Sequence, residues 1–311
     1  MLQHYSVVNG KIEQNPGGFP HIDIYIRPDE EERRYLIDVC RVDEHTLISS
    51  TDPDETPRIE FEDNHTAIIL KYPKNYSAED NFFFRVKSMG VFLFPPDRII
   101  IVLDDQVPLF TGRLASNLKT PQDVLLRILY QTIRHFETHL RIINMCSDEL
   151  EHEISKSSEN KNLLDMFTLE KGLVYYLNAL SGNGRLIERM KAGSAKIGFS
   201  NDNLELLDDQ AIENQQFLDQ AQVYSQVLSG LMDARASIIN NNLNVTMKSM
   251  NAIVIAVSIP TFFTGVGGMS EFTSVIGKSM KWYVAYPLFF CTMFILGLLI
   301  YWLIQRHYSS R

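Results

Sequence analysis

The sequence is poor in cysteine and carries no excess of positive charge. Its three cysteines, Cys40, Cys146 and Cys291, are odd in number, far apart and never in CxxC spacing. They give no basis for a disulfide frame or a zinc knuckle, and a reducing compartment fits. The net charge of −9 argues against nucleic acid as a partner, because phosphate binding needs a basic face. The stretch Met1-Leu2-Gln3-His4-Tyr5 has no basic or apolar leader pattern, so the N-terminal part is expected to stay cytoplasmic. No GxxxxGK[ST] loop, GxSxG elbow or Cys/His nucleophile arrangement is present, so neither an enzyme active site nor a tightly bound cofactor is expected.

Charge is missing altogether from two C-terminal segments, Ser249–Gly268 and Trp282–Ile304. A helix rises about 1.5 Å per residue, so ~20 residues cross the roughly 30 Å hydrocarbon core of a bilayer. Mean hydropathy of the whole chain is slightly negative, so a large water-facing part is attached to a minimal membrane hairpin. Two spans return the C-terminus to the side of the N-terminus. The basic tail from Arg306 to Arg311 agrees with the positive-inside rule, whereas Lys278 and Lys281 in the connecting loop oppose it. Two helices cannot enclose a pathway by themselves.

Residues 1–119 read as an α/β domain. Tyr5–Val8 and Lys11–Glu13 flank Asn9-Gly10, a type I′ hairpin signal. His21–Ile26 alternates polar and apolar residues, and Asp29–Val39 opens with an acidic turn and predicts a helix. Arg58–Phe61, Thr66–Tyr72, Phe82–Val86, Val91–Phe94 and Ile99–Leu103 are β-branched or aromatic runs that predict strands. From Thr120 the pattern becomes helical. Thr120-Pro121 followed by Asp123 marks a helix start, and periodicity continues to about Ser157. A second helix is expected from about Asn162 to Lys191, interrupted at Gly182-Asn183-Gly184. A third starts near Asp202 and continues through Met247 into the first membrane segment, giving about 60 residues and ~90 Å if unbroken. The expected domains are therefore 1–119, a helical stalk over 120–246, and a transmembrane hairpin over 247–311 with spans of about 249–268 and 282–304.

The long helix carries two seven-residue series. Phe217, Tyr224, Leu231, Ile238 and Val245 form an apolar packing seam. One position earlier, Ser237, Asn244, Asn251, Ser258 and Gly265 are all small or polar, and three of them fall within the apolar membrane segment. Such residues at bilayer depth serve either as helix–helix contacts or as the wall of a water-filled lumen. Continuation of the series in phase below the membrane favours a central pore lined by one helix per subunit. Residues 201–234 hold seven acids and no Lys or Arg. That face is either simply solvated or a field that concentrates cations. Neither span contains Asp, Glu, Lys, Arg or His, which favours passive conduction over proton coupling.

Two metal leads are weaker. His135 and His139 share a helix face and could pair on zinc, but the zincin order of His and Glu is absent. They are expected to be exposed histidines beside Arg134 and Arg141. The same reading applies to His152 between Glu151 and Glu153.

The run Gly230-Leu231-Met232-Asp233, then Asn244 and Met247, then Pro260-Thr261-Phe262-Phe263-Thr264-Gly265-Val266-Gly267-Gly268-Met269-Ser270, resembles the stalk helix, first membrane helix and GMN signature of the CorA family of divalent cation channels. Lys281-Trp282 and Tyr286-Pro287 resemble the start of that family's second membrane helix, and Asp52-Pro53 with Pro57-Arg58-Ile59-Glu60 its cytoplasmic domain. The resemblance implies an α+β protein: an α/β cytoplasmic domain, a long helical stalk and two transmembrane helices in a funnel-shaped homopentamer of the cell (inner) membrane, with both termini cytoplasmic. It implies a pore lined by Asn244, Met247, Asn251, Val254, Ser258 and Gly265, with Gly268, Met269, Ser270 and Glu271 at the outer entrance. The cargo would be a divalent cation, Mg²⁺ or a transition metal such as Co²⁺, Ni²⁺ or Zn²⁺, and the partners are further copies of the chain and the lipid bilayer.

Two departures stand out. Ser270 occupies the place of the signature asparagine, so a hydrated ion would meet shorter hydroxyls in place of amide carbonyls. In the family, Mg²⁺ bound between cytoplasmic domains at acidic residues closes the channel. One such position reads Ile48-Ser49 here, while its stalk-side partner falls at Asp208 or Asp209. These departures motivate an alternative function: a non-conducting membrane protein of the same fold that reports envelope stress or regulates through interactions.

Overall fold

The structure is a computed structural model that describes residues 1–8, 10–14, 21–107, 109–110, 118–156, 160–269, 274 and 281–309. It divides into two compact units, Met1–Met232 and Asp233–Arg311.

The first unit is built on a seven-stranded mixed sheet: β1 (Leu2–Val8), β2 (Lys11–Gln14), β3 (His21–Ile26), β4 (Arg58–Phe61), β5 (Thr66–Pro73), β6 (Val86–Phe94) and β7 (Arg98–Leu103), in the order β2-β1-β3-β7-β6-β5-β4. Among the described residues only the β3–β7 pair is parallel. The β1–β2 register pairs Val8 with Lys11, the antiparallel pairing expected of this hairpin, and Gly10 has φ +75°; Asn9, the other residue of the expected turn, lies outside the described residues. Along β7 the side chains alternate between two cores. Ile99, Ile101 and Leu103 join the large core beneath the long helices. Ile100 and Val102 join a smaller one with Leu36, Val42 and Leu47. A strand buried on both faces reads as an unbroken apolar run, which is why residues 99–103 show no polar alternation.

Two short helices flank the smaller core. α1 (Glu30–Arg34) starts with a capping box in which Asp29 accepts from the Glu32 amide at 2.8 Å and Glu32 from the Asp29 amide at 3.1 Å. The chain then continues as a π-helical turn, Tyr35–Val39, so the expected single α-helix over 29–39 changes hydrogen-bond register midway. α2 (Glu44–Ser49) was not anticipated. It is one and a half turns, too short to show a helical period.

The large core lies under α3 (Pro121–Lys156) and α4 (Asn160–Ala192). At the start of α3 the Thr120 hydroxyl accepts from the Asp123 amide, and the Asp123 carboxylate accepts from the Thr120 amide. Burial pushes the Asp123 carboxyl up, but hydrogen bonds from the Lys119 amide, Asn203 and Thr120 outweigh it and hold the group low. α4 runs through Gly182-Asn183-Gly184 without a break, which corrects the expected interruption. A β-carbon built on Gly182 would stand 2.7 Å from the Pro57 ring, so the glycine serves close approach, not a turn. Asn183, fully buried, donates to Lys71 O at 2.8 Å and accepts from Lys71 N at 2.9 Å. β4 leaves β5 at the Arg58–Ile69 pair, and Asn183 takes its place on the buried β5 backbone edge beyond.

A second correction concerns Phe82–Val86. The strand begins only at Val86 and runs unbroken to Phe94, and Phe82–Arg85 are irregular. Phe84 is buried among Tyr76, His139 and Tyr176, so its aromatic character serves packing rather than strand pairing.

After α5 (Ser194–Ile197), α6 (Asn201–Gly267) is a single 67-residue helix that crosses the division between the units. Its start is capped by Ser200, whose hydroxyl accepts from the Asn203 amide at 3.1 Å. In the first unit, Phe217, Tyr224 and Leu231 pack on the large core, whereas Ile238 and Val245 of the same seam are exposed in the second. α7 (Trp282–Ser309) completes the chain.

Candidate functional site

Among the described residues two helices are long and apolar enough to cross a membrane, α6 and Tyr283–His307 within α7. In the second unit most large apolar side chains of both are exposed. The last turn of α7 carries Arg306 and His307, with the Arg306 guanidinium 5.2 Å from the Trp302 ring centre. An aromatic–basic pair of this kind suits a headgroup interface.

The two long faces of α6 in this unit differ. Ala252 and Ala256 are buried, and the Gly297 position of α7 sits against Ala256 and Pro260. Asn244, Met247, Asn251, Val254, Ser258 and Gly265 are all exposed. At 3.6 residues per turn each position advances ~100°, so Val254 and Ser258, two residues either side of Ala256, lie about 160° from it around the helix. The small and polar series therefore occupies the side that α7 leaves uncovered. A β-carbon built on Gly265 meets nothing within 4 Å. The Ser258 hydroxyl donates to Val254 O at 2.7 Å. Its hydrogen is used within the helix, and its lone pairs stay available as acceptors toward a cation's water shell.

At the end of α6, the Gly268 amide donates to Thr264 O at 3.0 Å and the Met269 amide to Val266 O at 3.2 Å, closing the last turn. Ser270 and Glu271, the remaining residues expected at an outer entrance, lie outside the described residues.

In the first unit, Asp208 and Asp209 are exposed on α6. Asp208 is paired with Lys191 of α4 at 2.8 Å, which raises the Lys191 pKa. Ile48 is exposed, while Ser49 is buried, donates to Glu55 at 2.9 Å and accepts from Arg58 at 3.2 Å. Burial pushes the Glu55 carboxyl up, but bonds from Ser49, the Thr56 amide and Arg58 outweigh it and hold the group low. The Ile48-Ser49 position is thus tied into an internal Glu55–Arg58–Glu60 network. Among the described residues no group of three or more His, Cys, Asp or Glu is placed to hold a metal.

The two helix-face histidines correct an expectation. His139 is buried, with Nδ1 2.6 Å from the Tyr176 hydroxyl, and His135 is half-buried with its ring centre 4.4 Å away. Burial, with His135 as a secondary cause, holds His139 down at about 3, and burial alone lowers His135. His139 is therefore a neutral core group at physiological pH. Arg134 and Arg141, which suggested an exposed face, are instead both drawn to Glu137. His152 is exposed.

The packing face Ala252–Ala256–Pro260 was missed at the sequence level, although three small or ring residues at spacing four signal close helix approach. The Asn183 link had no sequence signal, because nothing in α4 marks which strand edge it meets.

Residues 21–306 match the family described as CorA-like Mg²⁺ transporter protein. The cobalt/magnesium transport protein CorA of Methanocaldococcus jannaschii is 24% identical over 259 residues, covering 80% of this chain and 79% of that protein. The complete structure of the CorA magnesium transporter from the same organism superposes with a TM-score of 0.75 at 19% identity, covering 99% of this chain and 96% of that one. The ZntB cytoplasmic domain from Vibrio parahaemolyticus gives 0.60 at 13% identity, covering 77% of this chain and 98% of that one. With the family matched from the first parallel strand of the sheet to the end of the second apolar helix, the chain belongs to the CorA-like Mg²⁺ transporter protein family.

Proposed function

We propose that the protein is a homopentameric membrane channel that passes divalent cations, Mg²⁺ or a transition metal such as Co²⁺, Ni²⁺ or Zn²⁺, through a central pore lined by α6. The observation that carries this reading is the division of the α6 span into two faces. Ala256 and Pro260 stand against Gly297 of α7, Ala252 one turn earlier is buried, and Asn244, Met247, Asn251, Val254, Ser258 and Gly265 are exposed. Small and polar groups on the uncovered side of an uncharged span suit a water-filled lumen better than lipid. Hard, strongly hydrated ions can pass such a wall with their water shell held by hydroxyl and amide oxygens. Asn244, Met247 and Asn251 would form the inner constriction, and Gly268, Met269, Ser270 and Glu271 the outer entrance. The divalent ion is cargo, driven by membrane potential and concentration.

In this reading residues 1–119 form the cytoplasmic domain, 120–246 the stalk and 247–311 the membrane hairpin. The protein would sit in the cell (inner) membrane with both termini cytoplasmic. Asp208 and Asp209 would serve as a cytoplasmic regulatory metal site, and an ion binding there would have to displace Lys191 from Asp208. The test is uptake of Mg²⁺, Co²⁺, Ni²⁺ and Zn²⁺ into proteoliposomes, with the oligomer mass measured on the same sample. Uptake of at least one ion by a pentamer is expected. Uptake equal to that of empty liposomes for all four, by folded pentameric protein, would overturn the reading.

A further inference from the structure

Pro260 lies inside α6. Proline has no amide hydrogen, so the carbonyl of Ala256, one turn earlier, lacks its i+4 donor. At bilayer depth a freed carbonyl is tolerated where neighbouring protein covers it. α7 covers this one with a glycine. A β-carbon built on Gly297 would stand 3.2 Å from Ala256 O and 3.5 Å from the Pro260 ring. The obstructing atom is backbone, so no rotamer change could make room. A side chain at 297 would need the two backbones to give by a few tenths of an ångström.

Around the joint the two helices are separated by an apolar groove of about 750 Å³, lined by Ile253, Val257, Phe290, Met293 and Phe294 among others. Gly297 is thus a point of tight contact beside loosely filled space. Val254 and Ser258 flank Ala256 in sequence and lie nearly opposite it around the helix. A push at Ala256 is therefore transmitted to the side that carries those two residues.

We propose that Gly297 is a positioning residue for ion passage. Its missing side chain lets α7 seat on the freed Ala256 carbonyl, and the depth of that seat sets how far Val254 and Ser258 stand from the pore axis. This rests on the pore reading given above. A methyl group at 297 displaces the middle of α6 away from α7, toward the axis, in every subunit at once, and narrows the ring at Val254–Ser258.

The test compares ion uptake by proteoliposomes of wild type, Gly297→Ala, and Gly297→Ala with Val254→Ala, at equal amounts of assembled oligomer. Gly297→Ala is expected to lower the uptake rate at least threefold. Trimming Val254 on the opposite side is expected to restore at least half of the loss, which a general packing defect would not allow. If Gly297→Ala assembles poorly alone, oligomers doped with increasing fractions of variant subunits are used, and uptake per oligomer should fall with the fraction. Uptake unchanged by Gly297→Ala, or lowered but not restored by Val254→Ala, overturns the inference while leaving the channel reading intact. Absence of uptake by the wild type overturns the channel reading itself.

Discussion

Replacing Asn183 by alanine isolates one buried contact whose cost can be worked from its geometry. The Asn183 amide makes two hydrogen bonds, to Lys71 O at 2.8 Å and from Lys71 N at 2.9 Å, and both residues are buried. β4 no longer pairs with β5 at this point, so the alanine variant leaves a backbone donor and a backbone acceptor without partners. A buried unsatisfied polar group costs about 1–3 kcal/mol, so two cost about 2–6, and ~3 kcal/mol is a fair central value after local relaxation. For a unit of this size 1 kcal/mol shifts Tm by about 2–4 °C, giving a fall of roughly 6–12 °C. The assay is thermal unfolding of the detergent-solubilised chain, followed by near-UV circular dichroism. Asn178→Ala is the control, because Asn178 is exposed on the same helix and should move Tm by no more than a degree or two. A drop for Asn183→Ala no larger than for the control would refute the argument that Asn183 completes the sheet edge.

The remaining predictions concern charge and the pathway. His139 has a folded-state pKa of about 3 against an unfolded value near 6.5. Between those values the unfolded chain binds the extra proton, so the contribution is complete above pH ~7.5 and is lost as pH falls, at a rate that rises to about 1.4 kcal/mol per unit below pH ~5.5. Unfolding measured from pH 7 to 5 should show that steepening loss, about 2 kcal/mol in all, in the wild type and a flatter profile in His139→Asn, which does not titrate. Lys191→Met frees Asp208 from its 2.8 Å partner; under the regulatory reading, inhibition of uptake by internal divalent ion should then set in at lower concentration, and an unchanged inhibition curve would count against Asp208 as a ligand. Asn251→Leu replaces a polar group on the uncovered side of α6 by an apolar one, and uptake should fall at least tenfold while the oligomer survives gel filtration.

Much of the fold was legible because its signals are local. The β1–β2 hairpin, the apolar run at 99–103, the Thr120–Asp123 cap and the two uncharged spans each follow from a few adjacent residues. The misread elements depend on distant partners. Gly182 and Gly184 have poor helix propensity, yet α4 continues because Gly182 must clear Pro57 and Asn183 must reach Lys71. Phe82–Val86 has strand composition, but Phe84 is drawn into an aromatic cluster with Tyr76 and Tyr176. His139 looked exposed beside two arginines, whereas Glu137 engages both and leaves the histidine facing the core. In the α6 span the heptad series marked the side that α7 leaves open. The opposing joint at Ala256, Pro260 and Gly297 involves residues on two helices and could not be paired from one sequence.

The central claim is that the side of α6 turned away from α7 lines the ion path. The most direct measurement is divalent-ion uptake by proteoliposomes carrying Ser258→Leu or Cys291→Leu. Both replace a small exposed residue in an apolar span by leucine, the first on the uncovered side of α6 and the second on α7. The account predicts at least a tenfold loss for Ser258→Leu and uptake close to wild type for Cys291→Leu. Equal effects, or a larger loss from Cys291→Leu, would contradict it.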